Sequence, residues 1–213
     1  VQTSLLEARR LAGSSKLFRI FSQVITSGLN PREFFNAKLL EQQQRHGRYH
    51  EVTYNLEPNL KESPGGLRDL QNILWVSRAT GHGRSWSDLV RGGFITKEEA
   101  RLTKRNEKIL QGLRIRLHYL AGRREDRLLF DFQTLLAKDY KITDKSSRLA
   151  GELLMQRYYR AAKLVAQINT ILLLALRTEI FPYANVTPIK LNKYFQKRGE
   201  LLEVRDECVF RKE

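Results

Sequence analysis

Apolar residues recur along most of this chain at spacings of three and four, the period of an amphipathic helix, and rarely alternate as in a strand. Ser4 with Glu7 three residues on has the form of a capping box, followed by Leu5, Leu6, Ala8, Leu11 and Ala12, and Gly13 is a natural stop. A second helix is predicted from Ser14 or Ser15, carrying Leu17, Phe18, Phe21, Val24 and Ile25. Asn30-Pro31-Arg32-Glu33 sets a cap before a proline at the first helical position and opens a helix toward His50. Tyr54 to Pro64 holds two prolines and no helical period, which predicts an ordered loop.

Beyond it, Leu67, Leu70, Ile73, Leu74 and Val76 describe a helix apolar over a wide arc and hence near the centre of the fold. Gly81, Gly83, Gly92 and Gly93 break the chain around a short helix near Trp86 to Val90. Thr96 with Glu99 repeats the capping box, with Ile95 and Ala100 placed as a staple. The helix it opens is expected to bury Leu110, Leu113, Leu117 and Leu120, to be basic through Arg101, Lys104, Arg105 and Lys108, and to end near Gly122. The longest helix is predicted from Ser147 to Ile180, where Leu154, Tyr158, Ala161, Val165, Ile168, Leu172 and Ala175 form a bundle seam. After Phe181-Pro182 the texture changes. Tyr194-Phe195-Gln196, a turn at Arg198-Gly199, and Leu201, Leu202 and Val204 suggest a small β-hairpin or a docking tail. The fold class expected is all-α: a helical bundle with one long C-terminal helix and a small β-hairpin or extended tail.

Composition narrows the partners. At 41% hydrophobic and 29% charged, the 213 residues can bury a substantial core. A formal charge of +15 favours phosphate-bearing or acidic partners. The single cysteine, Cys208, excludes an internal disulfide framework and fits a reducing, cytoplasmic setting. The longest purely apolar run, Ile171 to Leu176, is far short of a bilayer span, so no membrane association is expected. Val1 is not an initiator methionine, and the economical reading is a soluble piece of something larger.

Two stretches could carry chemistry. In the first, Ser63 can cap a helix, Pro64 presets its first angle, and Gly65 and Gly66 allow close approach to the backbone. A helix start of this kind can receive phosphate on its unpaired N–H groups, with Lys61 and Arg68 adding charge and Asp69 on the first turn. The plainer alternative is a tight junction in which Asp69 stabilises the helix dipole. In the second, Arg123, Arg124 and Arg127 alternate with Glu125, Asp126 and Asp131. They could clamp a triphosphate or an acidic partner, or pair with one another across a solvated corner. His46 and His50 have a metal-compatible spacing, but no HExxH pattern or nearby cysteine completes a site, and a solvated helix face is favoured. His82 and His118 are isolated. Trp75 and Trp86 are read as packing residues.

Val1 to Arg9, the Tyr54 to Asp69 loop, Leu74-Trp75-Val76, Leu120 to Asp131, Met155 to Arg160 and Leu202 to Asp206 together resemble the bacterial PII uridylyltransferase/uridylyl-removing enzymes, in order and over nearly the whole chain. Pro64-Gly65-Gly66-Leu67-Arg68-Asp69 is also similar to an element of glutamine synthetase adenylyltransferases; Ser63 stands where many relatives carry glycine. The resemblance implies a bifunctional nitrogen-status enzyme that moves UMP from UTP to a tyrosine of the PII signalling protein and hydrolyses it off again. It further implies Mg²⁺ held by carboxylates of a nucleotidyltransferase head, an HD-type phosphohydrolase domain and glutamine-sensing ACT domains.

Neither catalytic signature is present. Gly13-Ser14 occurs, but no Asp-x-Asp follows, and the chain contains no His-Asp pair. It is therefore identified as the helical segment between two catalytic centres, with no catalytic or metal-ligating residue of its own and no activity expected alone. Residues 1–183 would form the helical domain, 1–13 being the exit from the head, and 184–213 a tail toward the HD domain. The first functional reading makes Lys61, Ser63, Gly65, Gly66, Arg68 and Asp69 a nucleotide-positioning site, with Arg123, Arg124 and Arg127 as a second basic cluster. The alternative is an interdomain or PII-docking scaffold with no direct nucleotide contact. Specific nucleic-acid binding would rest on net charge alone and is not expected.

Overall fold

The computed structural model describes residues 2–49, 56–144, 149–182, 187–198 and 201–204. The chain forms α1 (Gln2–Leu6), α2 (Ser15–Ser27), α3 (Pro31–Tyr49), α4 (Leu67–Ala79), α5 (Trp86–Arg91), α6 (Lys97–Ala121), α7 (Phe130–Asp139) and α8 (Ala150–Ile180). Three short strands follow, β1 (Ile189–Lys190), β2 (Phe195–Arg198) and β3 (Leu201–Val204), antiparallel in that order. The fold is all-α with a long C-terminal helix and a small hairpin, as expected, extended by one strand.

Local signals set most helix ends. Ser14 accepts from the Leu17 N–H. Asn30 Oδ1 accepts from the N–H groups of Arg32 and Glu33. Thr96 and Glu99 form a reciprocal capping box, and Gly122 closes α6 in the left-handed conformation (φ 62°) that its lack of a Cβ permits.

α8 is the organising element. It packs against α3, α4, α6 and α7, and its seam Leu154, Tyr158, Ala161, Val165, Ile168 and Leu172 is buried. At about 1.5 Å per residue its 31 residues extend about 46 Å. It serves two apolar clusters. The larger joins Leu60, Leu70, Ile73, Leu110, Leu113, Leu117, Leu128 and Leu136 to α8 as far as Leu172. The smaller joins Leu29, Phe34, Phe35, Trp75 and Val76 to Leu173, Leu176 and Ile180. α4 borders both. By length and composition α8 could cross a bilayer, although no single apolar run in it is that long. Its twelve buried residues face other helices, the setting of a core helix.

Several expectations are corrected. α1 stops at Leu6 and does not run on to Ala12; the Glu7 side chain just beyond it accepts from Trp75 Nε1 at 2.8 Å. Leu11 is left 84% exposed. Leu120 points outward, and at the end of α8 the seam passes from Ala175 to Leu176. α7, which the sequence reading did not delimit, adds Gln133, Leu136 and Ala137 to the interior. Among the expectations, His50, Tyr54, Asn55, the start at Ser147, the Gly199 turn, Cys208 and the tail from Arg205 onward lie outside the described residues.

Candidate functional site: a charged cleft beside the diglycine corner

The two candidate stretches meet. Asn59 and Arg127 form an antiparallel bridge. The Leu60 N–H donates to the Asp126 carbonyl at 2.8 Å, and the Leu128 N–H to the Pro58 carbonyl at 2.9 Å. Arg127 reaches Glu57 as well, Nε to its carbonyl at 3.3 Å and Nη2 to Oε2 at 3.5 Å. Burial of Leu60 and Leu128 explains why these loops close on each other.

Inside this junction the backbone is satisfied internally. The N–H groups of Gly66, Leu67, Arg68 and Asp69 donate to the carbonyls of Ser63, Leu60, Lys61 and Gly66 at 2.8 to 3.1 Å. Gly65 N–H donates to Asp69 Oδ2 at 2.7 Å. The phosphate cradle expected at Ser63, Gly65 and Gly66 is therefore not formed: the donors that would bind an anion already have partners. Ser63 is not the helix cap either. Its Oγ accepts from the Asn59 N–H at 3.0 Å, and Gly66 occupies the N-cap position without a side chain. Gly65 is needed for another reason. Its φ is +77°, and a Cβ there would lie 2.1 Å from the Ala162 carbonyl oxygen on α8. Gly65 thus admits a neighbouring helix, and Gly66 admits the loop's own Lys61 and Ser63 carbonyls, each 2.7 Å from where its Cβ would stand.

Asp69 is a second correction. It is fully buried and accepts from Arg45 Nη2 at 2.6 Å and His46 Nε2 at 2.9 Å, both from α3. Burial pushes its carboxyl up, but the His46 hydrogen bond and the charges of His46 and Arg45 outweigh that and hold it below the ordinary aspartate value. Asp69 thus fastens α3 to α4 and turns no oxygen to ribose or metal-bound water. Arg68 also leaves the expected site. Its guanidinium lies 5.2 Å from the Trp75 ring centre and donates to Gln71 Oε1 at 2.9 Å and Glu62 Oε1 at 3.4 Å.

Lys61 and Arg124 remain, and they do come together. Both line a cleft of about 390 Å³ with Glu41, Gln44, Arg45, Arg48, Tyr49, Asn59, Glu62 and Asp126. Lys61 Nζ is 3.1 Å from Glu62 Oε1. Arg124 Nε is 3.9 Å from Asp126 Oδ2. Asp126 is anchored on its other side by Arg114 Nε at 2.6 Å and His118 Nε2 at 3.0 Å. Burial raises the Asp126 carboxyl, and the Arg114 and His118 contacts more than offset it, leaving it below the usual range. Glu62 behaves likewise, its burial outweighed by Lys61 and Arg68. Arg123 pairs with Glu125 at 3.0 Å. Arg123 and Arg124 thus pair with the corner's own acids, the alternative weighed from the sequence, while Arg127 pairs outside it with Glu57.

The α3 contribution was missed. Phe34, Phe35, Gln42 and Arg45 are its buried residues, so a seam that begins apolar ends in an arginine. The signal available was Arg45 eleven residues after Phe34, about three turns on and on the same helical face.

Among the described residues no group of three or more His, Cys, Asp or Glu comes together as a metal-holding set.

The sequence model of the GlnD PII-uridylyltransferase family matches residues 33–173. The chain is 60% identical over its whole length to the bifunctional uridylyltransferase/uridylyl-removing enzyme of Nitrosospira multiformis, covering 24% of that protein. It is 48% identical over 99% of its length to the enzyme of the same name from Burkholderia orbicola, covering 25%. To that of Bordetella avium it is 49% identical over 98%, covering 24%. The chain thus spans about a quarter of the length of these relatives. No solved structure matches it. Matched by the family's model over most of its helical body and by these enzymes from end to end, the chain belongs to the GlnD PII-uridylyltransferase family.

Proposed function

We propose that this chain is the helical part of a full-length enzyme that transfers UMP from UTP to a tyrosine of the PII protein and removes it again, and that its role is to position the nucleotide. The observation that carries this reading is the cleft in which Lys61 and Arg124, far apart in sequence, face one space together with Arg45 and Arg48. Phosphate groups entering it would exchange the local carboxylate partners of Lys61 and Arg124 for stronger charge-assisted contacts. Arg45, held by Asp69 and by the Glu62 carbonyl at 2.8 Å, keeps the α3 wall in place. Positioning of this kind lowers the entropic part of the barrier, while the metal chemistry belongs to other parts of the polypeptide and the attacking hydroxyl to PII.

In the full-length enzyme, Lys61→Ala is expected to lower kcat/KM for UTP about tenfold or more, which is about 1.4 kcal/mol. The melting temperature should move by no more than about 2 °C, because Lys61 is half-buried and pairs only with the adjacent Glu62 among the described residues. KM for PII should stay within about twofold, since the cleft's charges are assigned to the nucleotide. Equal losses in UTP use and stability would return Lys61 to a structural role. A loss confined to PII would favour the docking scaffold.

A further inference from the structure

α2 carries apolar side chains that no other described residue of this chain covers. Leu17, Ile20, Phe21 and Val24 recur at spacings of three, one and three, so they share one face, and they are 68%, 46%, 38% and 62% exposed. None of the thirteen residues of α2 is buried. Phe18, Ser22 and Ile25 on the flank are only half-buried, and Phe18 stacks on Phe21 of the same helix with ring centres 6.0 Å apart. A helix of this length is marginal in water by itself and draws its stability from packing an apolar face. α2 nevertheless has a side-chain N-cap and a glycine C-cap, so its ends are specified while its face is open.

Two observations bear on what could cover it. The family model begins at residue 33, after α2, whereas the alignment to the Nitrosospira enzyme runs through the whole chain. α2 therefore lies outside the matched helical body but inside the longer homologous protein. About three-quarters of the length of such relatives lies beyond this chain, which is ample polypeptide to supply an apolar partner. The charge pattern argues against a lipid surface. The polar side of α2 has Lys16 and Arg19 with Gln23, Thr26 and Ser27, not the lysine- and arginine-rich face of an interfacial helix.

We infer that the Leu17–Ile20–Phe21–Val24 face of α2 is an intramolecular docking surface, seating the part of the same polypeptide that lies outside residues 1–213. This docking is independent of the phosphate cleft, which involves no residue of α1 or α2, so each can fail without the other.

A photoreactive benzoylphenylalanine in place of Val24 in the full-length protein tests it. The expected result is a cross-link from residue 24 to a peptide outside 1–213 of the same molecule, running at monomer mass and unchanged on about hundredfold dilution. A cross-link to a second copy at doubled mass, to PII, to lipid, or to residues within 1–213 would overturn the inference, and so would none at all. A second measurement guards against local distortion by the probe. Leu17→Glu with Val24→Glu should speed amide exchange of residues 15–27 about tenfold or more in the full-length protein, leaving that of residues 67–79 within about twofold. Unchanged exchange in 15–27 would show that the face is not covered there.

Discussion

α2 and α4 are both thirteen residues long and both are amphipathic, yet α4 buries nine residues and α2 none. The difference does not lie in how many apolar residues each carries: α2 offers Leu17, Phe18, Ile20, Phe21, Val24 and Ile25, and α4 offers Leu67, Leu70, Ile73, Leu74, Trp75, Val76 and Ala79. It lies in the neighbours. α4 has α3, α6 and α8 around it and borders both apolar clusters. α2 leads from α1 to α3 along the outside. An apolar stripe states which face of a helix seeks cover; the arrangement of the other elements states whether cover is found.

The largest expected effect breaks the α4 side. Asp69→Ala should cost about 3–5 kcal/mol in urea unfolding, because it leaves Arg45 buried without its carboxylate. Acid should act through the same group. Since the folded-state carboxyl is held below its unfolded value of 3.8, the stability it contributes is fully present above that pH. It is lost as pH falls through the lower folded value. Asp69→Asn should therefore flatten stability against pH below about pH 4, and an unchanged acid slope would mean that other carboxylates dominate. A direct contrast comes next. Leu70→Ala, at a position 1% exposed, should cost about 2–5 kcal/mol. Leu17→Ala should stay within about 0.5 kcal/mol in this chain, as at a surface position. Comparable losses at the two leucines would show that α2 is packed here after all.

The same contrast runs through the candidate site. The Pro64–Asp69 element is unusual in sequence, and its proximity to Lys61 follows from sequence adjacency alone. Its meaning was not legible. Gly65 looks the same on paper whether it admits a phosphate or the Ala162 carbonyl, and Asp69 looks the same whether it faces solvent or Arg45. Arg48 carries no local signal, being a charged residue on a polar helix, and Arg45 is marked only by its place on the Phe34 face of α3. Only the closure of the Leu60 and Leu128 segments on each other brings Lys61 beside Arg124.

By itself the sequence determined the helical class, most helix ends, the capping box at Thr96 and the family resemblance. These depend on interactions reaching three or four residues along the chain, which a linear reading can follow. Tertiary structure alone decided that the diglycine corner belongs to the interior, that Asp69 is a clamp between helices, and that α2 keeps its apolar face open. Burial and charge pairing are settled by residues tens to a hundred positions apart, and the free energy of placing a carboxylate or a leucine depends on what those distant residues put beside it.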